Sequence, residues 1–491
     1  MAKKTAKKST ASRKTGARKS SSGSRAKHGG HDGSSLVVVA NRLPVRRVKQ
    51  GNKSSWAVSP GGLVTALHPV LQEEQGAWVG WSGEPGENVQ PFQHEGMHLK
   101  PVALSKPEVD AYYYGFSNGT LWPLYHDSIR FPQFHRRWWW PYLEVNRRFA
   151  EAAAEVVGKN GVVWVQDYQF QLVPAMVRQQ RPDAKIGFFL HIPFPSEEMF
   201  TRMPWRKQVV EGMLGADVLG FQTKQSARNF AAAARLLTDA KGSDTHLKYE
   251  GRTVEVRAFP ISIDYDQFEG YALSEKVQAK AKVLKEQLGA DRRIMLGVDR
   301  LDYTKGIDVR LRAVEELFGH ELTSAAEAVF VQIAVPSRED IAAYDDMRRS
   351  IEELVGRING QYAEPGRMAV HYLRRGLPQE DLAAYYLAAD VMVVTPFQDG
   401  MNLVAKEYVA SRIHDDGVMV LSEFAGAAHE LKQSIMVNPF DIDGVTSALD
   451  QAVRLPEDEA KTRMKKMRRQ VKQNDVFVWA ERFLDACHKH K

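Results

Sequence analysis

Cysteine is almost missing from this 491-residue chain: Cys487 stands alone. One thiol cannot close an internal disulfide, which suits a reducing compartment. Together with His488 and His490 it reads as a polar terminus rather than a metal tail. No apolar run approaches the roughly 18 residues that a bilayer-spanning helix needs, and no hydrophobic segment follows the basic N-terminus as in a secretory signal. A cytoplasmic protein without a membrane span is expected. Acidic residues are scarce at one end. Residues 1–34 carry ten Lys or Arg and one acid, Asp32, a balance of +9. Since the whole chain carries +7, the remainder holds −2, and the pI near 9.1 belongs to the tail. The tail has no apolar periodicity and cannot bury enough surface to offset the entropy of ordering, so it is expected to be disordered. It could contact nucleic acid or an acidic surface by counterion release, or simply keep the protein soluble.

The length exceeds one compact core and calls for two domains of roughly 200 residues. Hydrophobic content of 43% is that of an ordinary soluble enzyme. Buried-strand signals alternate with helical stretches twice along the chain. The first series is 36–40, 161–166, 186–192, 216–221 and 254–259. The second is 293–298, 328–335, 368–372, 391–395, 418–422 and 435–438. That alternation predicts an α/β protein with two doubly wound, Rossmann-like domains. Pro260–Asp266 reads as the crossing between them. It contains Asp264-Tyr265-Asp266, the short acidic pattern of metal-dependent sugar transferases, but the pattern sits in a linker with no strand pattern leading to a metal, so no metal site is assigned there.

The stretch 390–408 carries the strongest chemical signal. A β-branched run ends at Thr395, Pro396–Gly400 breaks it, and Met401 onward is helical in composition. The first amides of such a helix lack internal partners and sit at its positive end, a seat for phosphate or diphosphate. Asp399 and Glu407 flank that seat, and Glu407 is placed to grip ribose hydroxyls. Arg300 and Lys305 lie in a loop after another strand, where fixed cations could hold the same diphosphate. Arg338 follows a third strand. Pro60-Gly61-Gly62 opens a helical run after a polar loop, allowing close backbone approach. Asp167 ends one strand of the first series and His191 lies at the end of another, where open α/β sheets place ligands. Trp78–Glu84 and Tyr112–Pro123 set aromatic side chains beside loop-forming residues, suited to sugar faces or to packing. Trp138, Trp139 and Trp140 beside Arg136 and Arg137 resemble a nucleic-acid stacking platform but read better as a half-buried helix.

Taken together, Arg42, Trp81, Phe116-Ser117-Asn118-Gly119-Thr120-Leu121-Trp122-Pro123, Asp167, His191-Ile192-Pro193-Phe194-Pro195, Arg300–Gly306 and Asp399–Glu407 closely resemble the trehalose-6-phosphate synthase family. The resemblance runs from about Leu36 to the C-terminal helix. It implies two Rossmann-like domains facing across a cleft, the GT-B arrangement. The implied boundaries are a tail at 1–34, an acceptor domain at 35–262, a nucleotide-sugar domain at 263–465 and a C-terminal helix at 466–491, which can pack back on the first domain. The implied reaction moves glucose from a nucleotide diphosphate glucose, UDP- or ADP-glucose, to glucose 6-phosphate with retention, giving α,α-trehalose 6-phosphate. No cofactor is required, and a homo-oligomer is expected. By motif, Arg300 and Lys305 bind the donor diphosphate with Gly62 and the backbone at Asn402 and Leu403. Glu407 holds the ribose, Asp399 a glucose hydroxyl, and His191 the donor glucose near its reacting end. Arg42, Tyr113 and Arg338 bind the acceptor phosphate, while Trp81, Trp122 and Asp167 orient the acceptor sugar. Some members have His on both sides of the Asp where this chain has Gln166 and Gln169, which leaves proton roles at those positions open. Glucosylglycerol-phosphate synthase keeps the same donor half and is the nearest rival. A nucleic-acid-binding protein led by the basic tail is the alternative from another class.

Overall fold

The computed structural model describes residues 33–50, 53–59, 62–337 and 342–490. The tail expectation therefore falls outside it except at Gly33 and Ser34, and Ser34 already begins a strand. Eighteen strands are seen among these residues. They are β1 (Ser34–Arg42), β2 (Val45–Gln50), β3 (Lys53–Val58), β4 (Ala77–Trp81), β5 (Phe92–His94), β6 (Met97–Pro101), β7 (Val157–Gln166), β8 (Lys185–Leu190), β9 (Val218–Phe221), β10 (Lys241–Gly242), β11 (His246–Tyr249), β12 (Arg252–Ala258), β13 (Arg293–Arg300), β14 (Ala328–Val335), β15 (Val370–Leu373), β16 (Val391–Val394), β17 (Val418–Ser422) and β18 (Ile435–Val437).

The first sheet runs β10-β11-β12-β9-β8-β7-β1-β4-β6-β5, parallel from β12 through β6 and antiparallel at both edges. The second runs β15-β14-β13-β16-β17-β18 and is parallel throughout. In each sheet the strand order reverses once, between β1 and β7 and between β13 and β16. Crevices at such reversals, outside the carboxyl ends of the strands, are where open α/β sheets bind ligands. The protein is thus two Rossmann-like domains facing across a cleft.

Central strands read as unbroken apolar runs because both faces are covered. In β1, Val37 and Val39 enter a core that includes Val163, Val165 and Phe188. Leu36 and Val38 enter a second core on the other face. That second core continues through Phe259, Ile261 and Ile263 to Ile294, Leu296 and Met392 of the other sheet. The helix Val476–Lys489 completes it: Phe483 stacks on Trp164 at 4.4 Å, and Trp479 lies 5.1 Å from Phe189. The preceding helix, Glu457–Gln473, runs straight through the expected boundary at 465–466, and the chain breaks at Asn474–Asp475 instead.

Two expectations are corrected, the loop before Gly62 and the loop-forming character of Tyr112–Pro123. The polar loop before Gly62 holds the antiparallel hairpin β2–β3, with Arg47 over Trp56 at 4.5 Å. Trp78–Glu84 begins in a core strand, β4, where Trp78 and Trp81 are buried, the packing alternative for these aromatics. Tyr112–Pro123 is wound as a π-helix over Val109–Leu121, continuing at once into Trp122–Tyr125. The Trp cluster lies in the helix Arg136–Val156, with Trp139 buried against Trp205 at 5.2 Å and Trp140 66% exposed. Asp264 caps the helix Tyr265–Leu273, accepting the Gln267 amide at 3.0 Å.

Candidate active site

The second sheet builds its half of the site at the reversal between β13 and β16. Leaving β13, the chain turns through Asp302–Gly306. Asp302 accepts the Thr304 amide at 3.0 Å, its hydroxyl at 2.9 Å and the Tyr344 hydroxyl at 3.1 Å. Gly306 has φ +60°, and a Cβ there would lie 2.2 Å from the Thr395 carbonyl oxygen. Only glycine fits that approach. The Phe397 amide donates to the Thr304 carbonyl at 2.9 Å, so the turns after β13 and β16 are sewn together. Beneath them Arg310, fully buried, donates to Asp299 at 2.7 Å, Gln332 at 2.9 Å, Thr395 at 3.1 Å and the Lys305 carbonyl at 3.2 Å.

This scaffold fixes Lys305, whose ammonium donates to Asp399 at 2.5 Å. Burial pushes the Asp399 carboxyl up, but Lys305 beside it holds the net value below the usual range. Asn402 also donates to Asp399, at 3.2 Å, from a left-handed backbone (φ +78°). Its side-chain oxygen accepts the Ala405 amide at 3.1 Å, capping the helix Leu403–Ser411. Amides in this first turn have no carbonyl four residues back, so the turn presents donors to the crevice. One turn on, Glu407 accepts the Tyr386 hydroxyl at 2.8 Å, and burial raises its carboxyl to about 7. A carboxylate held so high gains by receiving hydroxyl donors.

The first sheet supplies the facing half at its own reversal. Arg42, at the end of β1, lays its guanidinium 4.2 Å over Trp81, itself 2% exposed. Gly83 (φ +104°) makes room, since a Cβ there would meet the Arg42 Nη1. Asp167 follows β7 with φ +73°, a conformation that side chains rarely adopt, and its Oδ1 accepts the His191 amide at 3.1 Å. The His191 ring contacts Gln166 Oε1 through Nε2 at 2.9 Å, and burial lowers its pKa to about 3, so it is neutral at physiological pH. Tyr113 lies in the π-helix beside Tyr112, whose hydroxyl donates to Asn41 at 2.9 Å. Asn118 donates to the Tyr113 carbonyl at 2.8 Å and accepts the Tyr168 hydroxyl at 2.9 Å, tying this winding to the turn after β7.

The halves meet. A Cβ on Gly400 would lie 2.1 Å from the His191 carbonyl oxygen. Arg300, exposed at the end of β13, places its guanidinium 5.3 Å from the Trp122 ring of the other domain. Arg130 similarly covers Tyr303 at 5.2 Å. The structure therefore gathers Asp167, His191, Trp122, Arg300, Lys305, Asp399, Asn402, Leu403 and Glu407 around the facing crevices, with Arg42, Trp81 and Tyr113 beside the first. Gly62 opens the helix Gly62–Glu73, while Pro60, Gly61 and Arg338 lie outside the described residues.

Several participants were not singled out by sequence. His126 is buried against Trp122 with ring centres 4.2 Å apart, and burial lowers its pKa to about 4. Arg310, Tyr386 and the buried pair Lys406–Glu430 also act behind the site. A lone His or a helical Arg carries no local signature of such partners.

The model of glycosyltransferase family 20 matches residues 34–489. Trehalose-6-phosphate synthase of Mycolicibacterium smegmatis is 52% identical over 464 residues, 92% of each chain. Among solved structures, a trehalose-6-phosphate protein from E. coli bound with UDP-2-fluoro glucose is 34% identical with a TM-score of 0.86, covering 92% of this chain and 99% of that one. An α,α-trehalose-phosphate synthase (UDP-forming) from Burkholderia xenovorans in complex with glucose-6-phosphate is 35% identical with a TM-score of 0.84, over 92% and 99%. The family that the motifs resembled is the one these comparisons give: the chain belongs to glycosyltransferase family 20 and is a sugar-transferring enzyme of the two-domain GT-B fold.

Proposed function

We propose that this enzyme transfers glucose from UDP-glucose to glucose 6-phosphate, with retention at the donor carbon, forming α,α-trehalose 6-phosphate and UDP. The observation that carries the reading is the meeting of Gly400 with His191, which brings the two crevices to one point. On the donor side, Lys305, Arg300 and the first turn of Leu403–Ser411 take the diphosphate, with Gly62 approaching from the other domain. Glu407 takes the ribose. Asp399 receives a glucose hydroxyl, and neutral His191 holds the sugar near its reacting carbon.

The acceptor phosphate goes to Arg42 and Tyr113, assisted by Arg338. Trp81 acts from beneath Arg42, and Trp122 and Asp167 orient the acceptor sugar. Breaking the glucosyl–phosphate bond builds negative charge on the leaving diphosphate. Preorganised cations and helix amides stabilise that charge where water is largely excluded. Retention follows from a front-face displacement in which the leaving phosphate oxygen takes the proton of the attacking hydroxyl. ADP-glucose presents the same diphosphate and ribose, and the UDP-forming relatives support uridine as the base.

A panel pairing UDP-, ADP- and GDP-glucose with glucose 6-phosphate or glycerol 3-phosphate tests this, with products identified by NMR. The expected product is an α,α-1,1-linked disaccharide phosphate formed fastest from UDP-glucose. Turnover only with glycerol 3-phosphate, or an inverted linkage, overturns the reading.

A further inference from the structure

The chain crosses from the first domain to the second through Phe259-Pro260-Ile261-Ser262-Ile263. Its polar attachments go to three places: the end of β9, the helix Val476–Lys489 and the helix Leu403–Ser411. The Phe259 amide donates to the Phe221 carbonyl at 2.8 Å, and the Phe259 carbonyl accepts Trp479 Nε1 at 3.1 Å. The Ile261 amide donates to Gln222 Oε1 at 2.9 Å. The Ile263 carbonyl accepts the Val476 amide at 3.0 Å. The remaining anchor comes from the donor side: Lys406 Nζ donates to the Ile261 carbonyl at 2.8 Å and to Glu430 Oε2 at 2.6 Å. Lys406 is 1% exposed and its partner carboxylate, Glu430, 13%.

The position of this ammonium along its helix is what matters. It precedes Glu407 by one residue and follows Leu403 by three, so one nine-residue helix presents its first turn to the diphosphate seat, one carboxylate to the ribose seat and one cation to the crossing. Burying a lysine against a backbone carbonyl 145 residues away is a poor device for stability alone, because desolvation offsets most of the attraction. Beside that anchor, Ser262 is fully buried, and among the described residues its hydroxyl has no hydrogen-bond partner. Lys406 thus fastens the crossing to the donor-side helix.

We propose that Lys406 is a positioning residue that transmits donor occupancy of the helix Leu403–Ser411 to the interdomain crossing at Ile261, holding the facing crevices together during transfer. The inference rests on the donor reading given above. A nucleotide drawn onto the first turn and Glu407 sets the axial position of the helix. Lys406 moves with it as part of the same rigid unit and fixes the Ile261 carbonyl.

Hydrogen–deuterium exchange with UDP as the probe, read separately on peptides spanning 403–411 and 259–264, tests the linkage in the full-length enzyme. UDP is expected to slow exchange in both peptides of the parent. In a Lys406→Met/Glu430→Gln double variant, which leaves no unpaired buried charge, UDP is expected to protect 403–411 and no longer 259–264. The kcat is expected to fall about tenfold, with the donor KM within about threefold. A merely structural ion pair, once neutralised, would leave UDP-dependent protection of the crossing intact with kcat near the parent value, and that result overturns the proposal. Protection of 403–411 without 259–264 in the parent overturns it too, whether or not the double variant folds. Protection of neither peptide in the parent instead removes the donor reading on which the linkage stands.

Discussion

Glu407 offers a quantitative test of the donor site. Burial raises its carboxyl to about 7 from an ordinary 4.5, so near neutral pH the empty enzyme is divided between acid and carboxylate. Ribose hydroxyls donate to the carboxylate form, so a bound donor favours ionisation and binding expels a proton wherever Glu407 was protonated. For a free-enzyme pKa near 7 and a bound value well below 6, about 0.9 proton leaves per donor at pH 6 and about 0.1 at pH 8. The apparent Kd then weakens about tenfold between pH 8 and pH 6. For the empty enzyme the sign is opposite to the usual carboxylate: a raised folded pKa favours the fold below the ordinary value and withdraws that support as pH rises through about 7. UDP-glucose is the appropriate ligand because its doubly esterified diphosphate does not titrate in this window. Calorimetry at pH 6 in two buffers of different ionisation enthalpy counts the protons, and Glu407→Gln should abolish the difference. Donor affinity and proton release that stay flat from pH 6 to pH 8 would refute the assignment of Glu407 to the ribose.

Two further expectations concern the same site and a third the N-terminal tail. Arg300→Ala or Lys305→Ala should lower turnover about 10²-fold or more, the scale of losing one preorganised charge stabiliser. Near-parent steady-state kinetics in either would remove that residue from diphosphate binding. Gly306→Ala forces a Cβ against the Thr395 carbonyl at positive φ, so it should cost about 1–3 kcal/mol and weaken UDP binding together; an unchanged melting curve and unchanged calorimetric titration would contradict this. Removing residues 1–32 should leave kcat and KM within about twofold while abolishing salt-sensitive retention on DNA. Lost catalysis in a folded truncation would give the tail a part in the reaction.

The two sheets were readable because β7, β8, β13, β14 and β16 are covered on both faces, so burial itself writes continuous apolar runs into the sequence. The chemistry at the strand ends was readable for a related reason: Asp167, His191, Arg300, Lys305 and Asp399 all follow a recognisable strand. The hairpin β2–β3 was missed because Arg46, Arg47, Lys49 and Lys53 make its sequence resemble a polar loop. The π-helix was missed because Gly115 and Gly119, which signal turns, are needed there for the Trp138 ring to approach. Arg310 reaches Thr395, Tyr386 reaches Glu407 and Lys406 reaches Ile261, partners 85, 21 and 145 residues away, and no local pattern encodes such distances. Asp264 and Asp266 showed the reverse, a motif that looked chemical and in which Asp264 serves as a helix cap.

The helix Val476–Lys489 has a consequence for the order in which the molecule forms. Its Phe483 fills the ground over Gly187 and Gly220, where any side chain would collide with it, and its Trp479 covers the face of β8. During synthesis the strands of the first sheet emerge long before residues 476–489 exist. That face stays open, with Trp164 and Phe189 uncovered, while the entire second domain is made. The first domain therefore cannot finish folding as an independent unit behind the ribosome, and the last helix acts as the closing step for both. Truncation within 476–489 should thus yield aggregation-prone chains rather than a smaller working enzyme.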